Sequence, residues 1–286
     1  MVRQFFLENE KGQRYNLMDR ENFCFLSEPT GLGYSYSSEF LRLINTFIEN
    51  TRNIEKGLIS GNLVTRYYDN LKEFIDFVEG AESLKFAYII PFKKMQSITY
   101  FKDVKIATLE KTEIDKETGM LIVPVSFDCL SLWYKKSNVI YNSIGTEQEI
   151  RWDFSWDSRF ANYDTRKLQY INNGHTEAPI VVELNGHLLN PKIELYVEGE
   201  LYQTVSFNVE IEEYEKLLYG TQENDFYIAK QNTDGTLTSL FNLDVINFEN
   251  DNVIRIPKNK SCELRISAEN EVLNAQVTIL EFYKAI

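Results

Sequence analysis

The chain has 286 residues, of which 43% are apolar and 14% aromatic, and its formal net charge is −13. This apolar content is typical of a globular protein and excludes a disordered chain. The length favours two domains, because single cores stop growing at roughly 250 residues. We expect neither a membrane span nor a signal peptide, since no long apolar run occurs and the N-terminal residues turn acidic at Glu8.

The charge is distributed unevenly. Residues 1–143 carry 18 Lys and Arg against 19 Asp and Glu, a net −1, whereas residues 144–286 carry 12 against 24, a net −12. An acidic second half repels phosphate backbones and anionic lipids, so nucleic acid and membranes are poor partners; solubility is the simplest role of the charge. The three cysteines, Cys24, Cys129 and Cys262, form no CxxC pair and are odd in number, which predicts a reducing compartment.

The first half is predicted to consist mainly of strands joined by turns. Residues 3–7 and 13–17 flank a polar loop ending in Gly12, which predicts a hairpin. Residues 40–52 and 55–66 intersperse apolar and polar side chains and are predicted to pair as a second, long hairpin. Further strands are predicted at 22–26, 84–90, 96–101, 103–109 and 121–133.

One segment changes to helical spacing. Its apolar residues fall on one helical face and are Leu71, Phe74, Ile75 and Val78. We expect this face to lie on the sheet of the first domain. Asp69 or Asn70 is the predicted N-cap, and Gly80 is predicted to take a left-handed conformation after the last turn.

A polar, Gly-containing segment near 142–146 is the predicted boundary between domains 1–143 and 144–286. An aromatic row of alternating residues follows it: Trp152, Phe154 and Trp156. Beyond this row, eight short strands separated by Gly-containing turns predict an antiparallel sandwich of jelly-roll type. Residues 212–219 are predicted to form a helical turn.

Groups that carry chemistry are sparse. His175 and His187 both lie in predicted turns and lack the spacing of metal ligands, so we predict no metal site. Phosphate-binding glycine loops and nucleophile elbows are absent from the sequence, and we predict no cofactor. Asp234-Gly235 lacks the rest of a calcium loop and is interpreted as a turn.

Carboxylate pairs are abundant enough that a glycosidase needs consideration. Asp153 with Asp157, or Glu183 with Glu194, would be the candidate pairs. The even spacing of the first pair is typical of the solvated face of a strand, and we therefore predict no enzyme. The aromatic row is interpreted as core packing, with a sugar-stacking platform as the alternative.

The order of features resembles the distal tail proteins of long, non-contractile-tailed phages that infect Gram-positive bacteria. The resemblance covers most of the chain and depends on short motifs. These are Gly31-Leu32-Gly33-Tyr34, Ile59-Ser60-Gly61-Asn62-Leu63, Leu84-Lys85-Phe86-Ala87-Tyr88, Asp128-Cys129-Leu130-Ser131-Leu132-Trp133-Tyr134, Asn172-Asn173-Gly174 with Ala178-Pro179-Ile180, and Ile256-Pro257 before Ala275-Gln276-Val277-Thr278-Ile279. One departure is that Lys258-Asn259 follows Pro257 where the family often has glycine.

The resemblance implies a fold and a function. It implies an N-terminal β-sandwich or belt domain with one α-helix that closes into a ring of six, and a C-terminal galectin-like (jelly-roll) β-sandwich. The ring would join the major tail tube protein to the tail-tip protein at the virion tail tip, and carry receptor-binding proteins, after assembly in the bacterial cytoplasm. The chain would come from a phage, prophage or phage-derived tail particle.

The predicted interface residues are Gly31, Gly33, Tyr34, Trp152 and Trp156. Two alternatives to a structural hub remain: a carbohydrate-binding module that recognises cell-wall glycans, and a wall hydrolase.

Overall fold

The computed structural model describes residues 4–19, 24–90, 97–110, 112–142, 167–241, 253–270 and 274–286. The predicted fold class is confirmed: these residues are mostly in β-strands and contain one α-helix. Contacts divide the chain into two compact units, Met1–Lys135 with Tyr283–Ile286, and Lys136–Phe282. The predicted boundary near 142–146 falls almost wholly outside the described residues. No helix in the described part of the chain is long and apolar enough to span a bilayer.

The first unit is a curved antiparallel sheet with one helix. Its elements are β1 Gln4–Asn9, β2 Arg14–Asn16, β3 Met18–Asp19, β4 Cys24–Thr30, β5 Tyr36–Arg42, β6 Phe47–Ile54, β7 Leu58–Thr65, α1 Tyr68–Glu79, β8 Leu84–Ile90, β9 Ile98–Leu109, β10 Leu121–Cys129 and β11 Trp133–Asn142, which continues into the second unit. The predicted hairpin at the start of the chain is confirmed, because β1 pairs with β2 across the turn at Gly12.

The sheet of the first unit curls back on itself. Its strands pair in the order β1–β8–β9–β10–β7–β4. At the two edges, β2 pairs with β1 and β3 pairs with β4. Leu17, between β2 and β3, donates its N–H to the Phe5 carbonyl at 3.0 Å and accepts the Leu26 N–H at 2.8 Å. Both ends of the sheet therefore meet at one residue.

Alternate residues of these strands fill the enclosed core. The largest fully buried side chains there are Leu7, Leu17, Ile59, Leu63, Phe74, Phe86, Phe127 and Trp133. The helix contributes Leu71, Phe74 and Val78, so the predicted apolar face is confirmed.

The helix ends differ from the prediction. Helix α1 begins at Tyr68, before both predicted caps, and Tyr67 occupies the N-cap position without a side-chain hydrogen bond. Gly80 has φ −81° and remains right-handed, because its N–H continues the helical pattern to the Asp76 carbonyl at 3.1 Å.

The second unit is a sandwich of antiparallel strands. Its strands are β12 Lys167–Ile171, β13 Ala178–Asn185, β14 Leu188–Leu189, β15 Lys192–Val197, β16 Glu200–Ser206, β17 Glu210–Ile211, β18 Lys216–Gln222, β19 Asp225–Gln231, β20 Leu237–Ser239, β21 Arg255–Ile256, β22 Ser261–Ser267 and β23 Asn274–Tyr283. One sheet has the order β12–β22–β15–β16, and the other contains β20–β19–β18–β13–β23. Buried aliphatic residues of both sheets form a single core.

Two local features of this unit were tested by the fold. The Gly-containing turns predicted between the strands include Glu198-Gly199, where both residues have positive φ, 55° and 94°, as a two-residue hairpin requires. The predicted helical turn over 212–219 is wrong. Lys216–Gln222 is strand β18, held between β13 and β19.

Candidate docking surface

The predicted long hairpin is replaced by a different one. Residues 40–52 do not pair with residues 55–66. Instead β5 pairs with β6 as a separate two-stranded sheet, and β7 joins β4 and β10. No further strand in the described ranges pairs with β5 or β6. We call residues 36–54 the arm.

The arm carries a concentration of exposed apolar side chains. They are Phe40, Leu41, Leu43, Ile44, Phe47 and Ile48, each at least half exposed. Ile44, in the turn at the tip, is 93% exposed. A cluster of exposed large apolar side chains is typical of an interaction site, and an isolated two-stranded hairpin is only marginally stable in water.

The register gives the arm two different faces. Leu41 lies opposite Ile48, and the pairing continues to the Leu43 N–H, which donates to the Thr46 carbonyl at 2.8 Å. Leu43 is two residues from Leu41 and shares its face, so this face is aliphatic. The other face combines aromatic and charged residues, because Phe40 lies opposite Glu49 and Arg42 opposite Phe47. Both faces thus expose apolar area.

Polar and aromatic contacts hold the base of the arm. Glu55 donates its N–H to the Ser35 carbonyl at 3.0 Å and accepts the Ser35 hydroxyl at 2.8 Å. The Arg52 guanidinium lies 4.0 Å from the Tyr36 ring centre. Lys284, from the C-terminal residues of the same unit, donates its ammonium to the Tyr36 hydroxyl at 3.0 Å. Among the described residues, these directional contacts attach the arm to its unit at its base.

Three of the predicted interface residues lie just before the arm. Gly31 has φ +75°, and a Cβ there would stand 1.8 Å from the Leu58 carbonyl oxygen, so only glycine fits. Gly33 has open space around it. Tyr34 is about half exposed and packs edge-on against Tyr36, with ring centres 5.3 Å apart. These residues shape the approach to the arm, and their role at an interface stays a prediction.

The other two predicted interface residues, Trp152 and Trp156, lie outside the described residues, as does the Asp153–Asp157 pair. Glu183 and Glu194, the other carboxylate pair, are on β13 and β15, and each has a lysine within ion-pair distance. Sequence reasoning missed the arm itself. The signal was present, because residues 40–48 place apolar side chains on both faces of a strand pair.

One group in the described residues has the composition of a metal site. His187, Glu210 and Glu212 offer ligand atoms within 4.8 Å of one another, all exposed. The side-chain oxygen of Asn270 accepts the Leu189 N–H, which fixes the orientation of the amide. The amide nitrogen of Asn270 therefore faces His187 and donates to its Nδ1 at 2.8 Å. This arrangement places the imidazole proton on Nε2, which faces Glu210 at 3.3 Å. A ligating histidine needs the opposite arrangement, with Nδ1 as the donor.

Asp234 shows the turn chemistry predicted for it. Its carboxylate accepts the Thr236 N–H at 2.9 Å and the Thr236 hydroxyl at 2.6 Å. These hydrogen bonds hold the pKa of Asp234 below its usual value.

The chain is mainly β and has two compact units, and its described residues expose an apolar hairpin. These features are typical of a protein that binds other protein subunits. Residues 4–130 match the family model described as the distal tail protein, N-terminal domain. The resemblance to distal tail proteins predicted from the sequence is therefore confirmed for this part of the chain.

Solved structures extend the likeness over the whole chain. A chain of the phage P2 baseplate, solved in its activated conformation with calcium, is 16% identical and gives a TM-score of 0.68, with 100% of both chains covered. The Dit protein of phage SPP1, described as a paradigm of the hub adsorption apparatus in phages that infect Gram-positive bacteria, is 10% identical with a TM-score of 0.55, covering 97% of this chain and 98% of the other. At these identities the likeness shows a shared fold. A search of curated proteins gave no match.

Proposed function

We propose that this protein is a structural hub of a phage tail, in which six copies form a ring that joins the tail tube to the tail-tip protein and the host-recognition apparatus. The exposed arm is the observation that carries the proposal. The family match over residues 4–130 and the fold shared with the SPP1 Dit protein support it. The function depends on docking and not on catalysis.

The energetics favour burial of the arm in an assembly. Full burial of one Leu, Ile or Phe side chain contributes roughly 1.5–3 kcal/mol, so the six exposed side chains of the arm have an upper limit of roughly 9–18 kcal/mol. Association costs on the order of 4–15 kcal/mol in lost freedom and ordering. At this limit the gain is comparable to the cost of association, so the arm supplies a large share of the binding free energy and other contacts supply the rest.

A ring, unlike a two-fold dimer, is built from head-to-tail contacts. An arm on one side of a subunit that docks against a different surface of its neighbour makes a head-to-tail contact. Such contacts close into rings when the rotation between subunits allows it. The number six follows from the resemblance to distal tail proteins.

The proposal assigns separate tasks to the two parts of the chain. Residues 1–143 form the ring through a belt that includes the arm, and residues 144–286 form a galectin-like sandwich. The ring lies at the tail tip of the virion, after synthesis in the cytoplasm of the bacterial host. Receptor-binding proteins are further partners in this scheme.

The mass of the purified protein in solution tests the proposal. Light scattering coupled to gel filtration is expected to give six times the 33.5 kDa chain mass. Negative-stain images are expected to show rings of six. A chain that remains monomeric up to the highest concentration reached would overturn the proposal.

A further inference from the structure

Lys102 is a lysine buried in the core of the first unit. Lys102 is 3% exposed and lies on the same face of β9 as the buried Val104, two residues later. Its ammonium nitrogen lies 5.0 Å from the centre of the Trp133 ring. No carboxylate in the described part of the chain forms an ion pair with it, and burial lowers the pKa of Lys102.

The thiol of Cys129 lies on the neighbouring strand β10, in the same buried space as the Lys102 amine. Cys129 ends β10, is 5% exposed, and lies opposite Val104. Gly57 accepts the Cys129 N–H at 3.0 Å. A Cβ on Gly57 would stand 3.3 Å from Cys129 Sγ and 4.0 Å from Lys102 Nζ, so the thiol and the amine share the space that this glycine leaves open.

The other two cysteines have different neighbours. Cys24 Sγ lies 3.2 Å from the Tyr15 hydroxyl, and Cys262 Sγ faces the Lys260 carbonyl at 3.6 Å. Both are as buried as Cys129. Lys102 is the one buried lysine among the described residues, so neither of these thiols has a buried amine beside it. The chain thus contains one thiol with a buried amine beside it and two matched thiols without one.

We propose that Lys102 and Cys129 form a covalent sulfenamide cross-link when the protein meets a peroxide. In the first step the sulfur attacks one oxygen of hydrogen peroxide, the O–O bond breaks, and water leaves, so that the thiol is oxidised by two electrons to a sulfenic acid. In the second step the neutral amine attacks that sulfur, the S–O bond breaks, and a second water leaves. Thiol, amine and one peroxide give one S–N bond and two waters.

The environment of the pair favours the second step. Burial lowers the pKa of the Lys102 amine and so favours its neutral, nucleophilic form, and the space at Gly57 that both groups share places the amine beside the sulfur. In the first step the amine takes the thiol proton, so that the more reactive thiolate attacks, and returns the proton to the departing hydroxide, which leaves as water. The amine is then neutral again for the second step. The product ties β9 to β10 and replaces a buried polar contact with a bond.

Peptide mapping by mass spectrometry tests the cross-link on the full-length protein. After treatment with hydrogen peroxide, we expect a pair of peptides carrying Lys102 and Cys129 that is lighter by two hydrogens than their sum. A thiol reductant is expected to release it. Recovery of Cys129 as a free thiol or as an unlinked oxide, with Lys102 unmodified, would overturn the proposal.

Variants separate this pair from general oxidation. Lys102→Met is expected to abolish the linked peptide and leave Cys129 reactive toward dimedone, a sulfenic acid probe. Cys24→Ser and Cys262→Ser are expected to retain the link. Because the mapping also reads all three cysteines in the unsubstituted protein, a variant that fails to fold leaves the test intact. Equal linkage of Cys24 or Cys262 to lysine would contradict the assignment.

Discussion

Two consecutive strands of the first unit, β6 and β7, have the same length and opposite environments. Each has eight residues. β7 lies between β4 and β10 and buries Ile59 and Leu63 completely, whereas β6 pairs with β5 and leaves Phe47 and Ile48 exposed.

The comparison shows that the number of strand partners, and not local apolar content, decides which strand is buried. β7 obtains two neighbours that are distant in the sequence, while β6 obtains its partner through a local turn. The apolar side chains that remain uncovered on the arm need a surface outside the unit. The exposed strand is therefore informative about assembly, and the buried one about folding.

The largest expected effect is the difference in the free energy of unfolding between an alanine variant in β7 and one in β6. Leu63→Ala in β7 is expected to lower the free energy of unfolding by about 2–5 kcal/mol, because it leaves a cavity in the core. Ile48→Ala in the arm is expected to change it by less than about 0.5 kcal/mol in dilute protein. Urea denaturation measures both. Equal losses would show that the arm is packed as part of the core.

A smaller effect is expected where the chain leaves β4 toward the arm. Gly31→Ala places a Cβ against the Leu58 carbonyl at a positive φ and is expected to cost at least about 1–3 kcal/mol. Gly33→Ala is the matched control, since nothing lies near its Cβ position. Thermal unfolding of the two variants checks the difference. A Gly31→Ala variant as stable as the Gly33→Ala variant would contradict the geometry.

The smallest effect compares a buried basic residue of the first unit, Lys102, with an exposed one on the arm, Arg42. The pKa of Lys102 is lowered in the folded state, so the unfolded chain binds more protons between that pKa and the ordinary value of 10.5. Stability from this group therefore rises with pH across that window. We expect Lys102→Met to stabilise the protein at about pH 7, and the gain to shrink toward about pH 9.5.

Arg42→Met is the control for this pH dependence, because Arg42 is exposed on the arm. Its effect on stability is expected to stay constant over the same range. Chemical denaturation at several pH values measures both variants. A Lys102→Met effect that grows with pH would contradict the sign derived for the buried amine.

Local patterns predicted the elements that local physics determines. The apolar spacing of Leu71, Phe74 and Val78 predicted α1, and Gly12 and Gly199 marked turns that the structure contains. These features depend on residues within one or two turns of each other. The helix ends were less predictable, because Tyr67 caps the helix without a side-chain bond.

Features that depend on distant partners were not predictable from the sequence. Residues 216–222 form a strand because β13 and β19 lie on either side of them, and nothing in a window of a few residues reveals this. The arm was mispaired for the same reason, since β7 takes its neighbours from β4 and β10. Lys102 and Cys129 are brought together by the pairing of β9 with β10.

The central claim, that the arm holds subunits together, is tested most directly by the solution mass of a double variant. Leu41→Asp combined with Ile48→Asp places charges on the aliphatic face of the arm, and Ile114→Asp is the control at an exposed aliphatic residue of the same unit outside the arm. By light scattering, the arm variant is expected to have the mass of one chain with an unchanged circular dichroism spectrum, and the control the mass of the ring. An arm variant that keeps the ring mass would contradict the account.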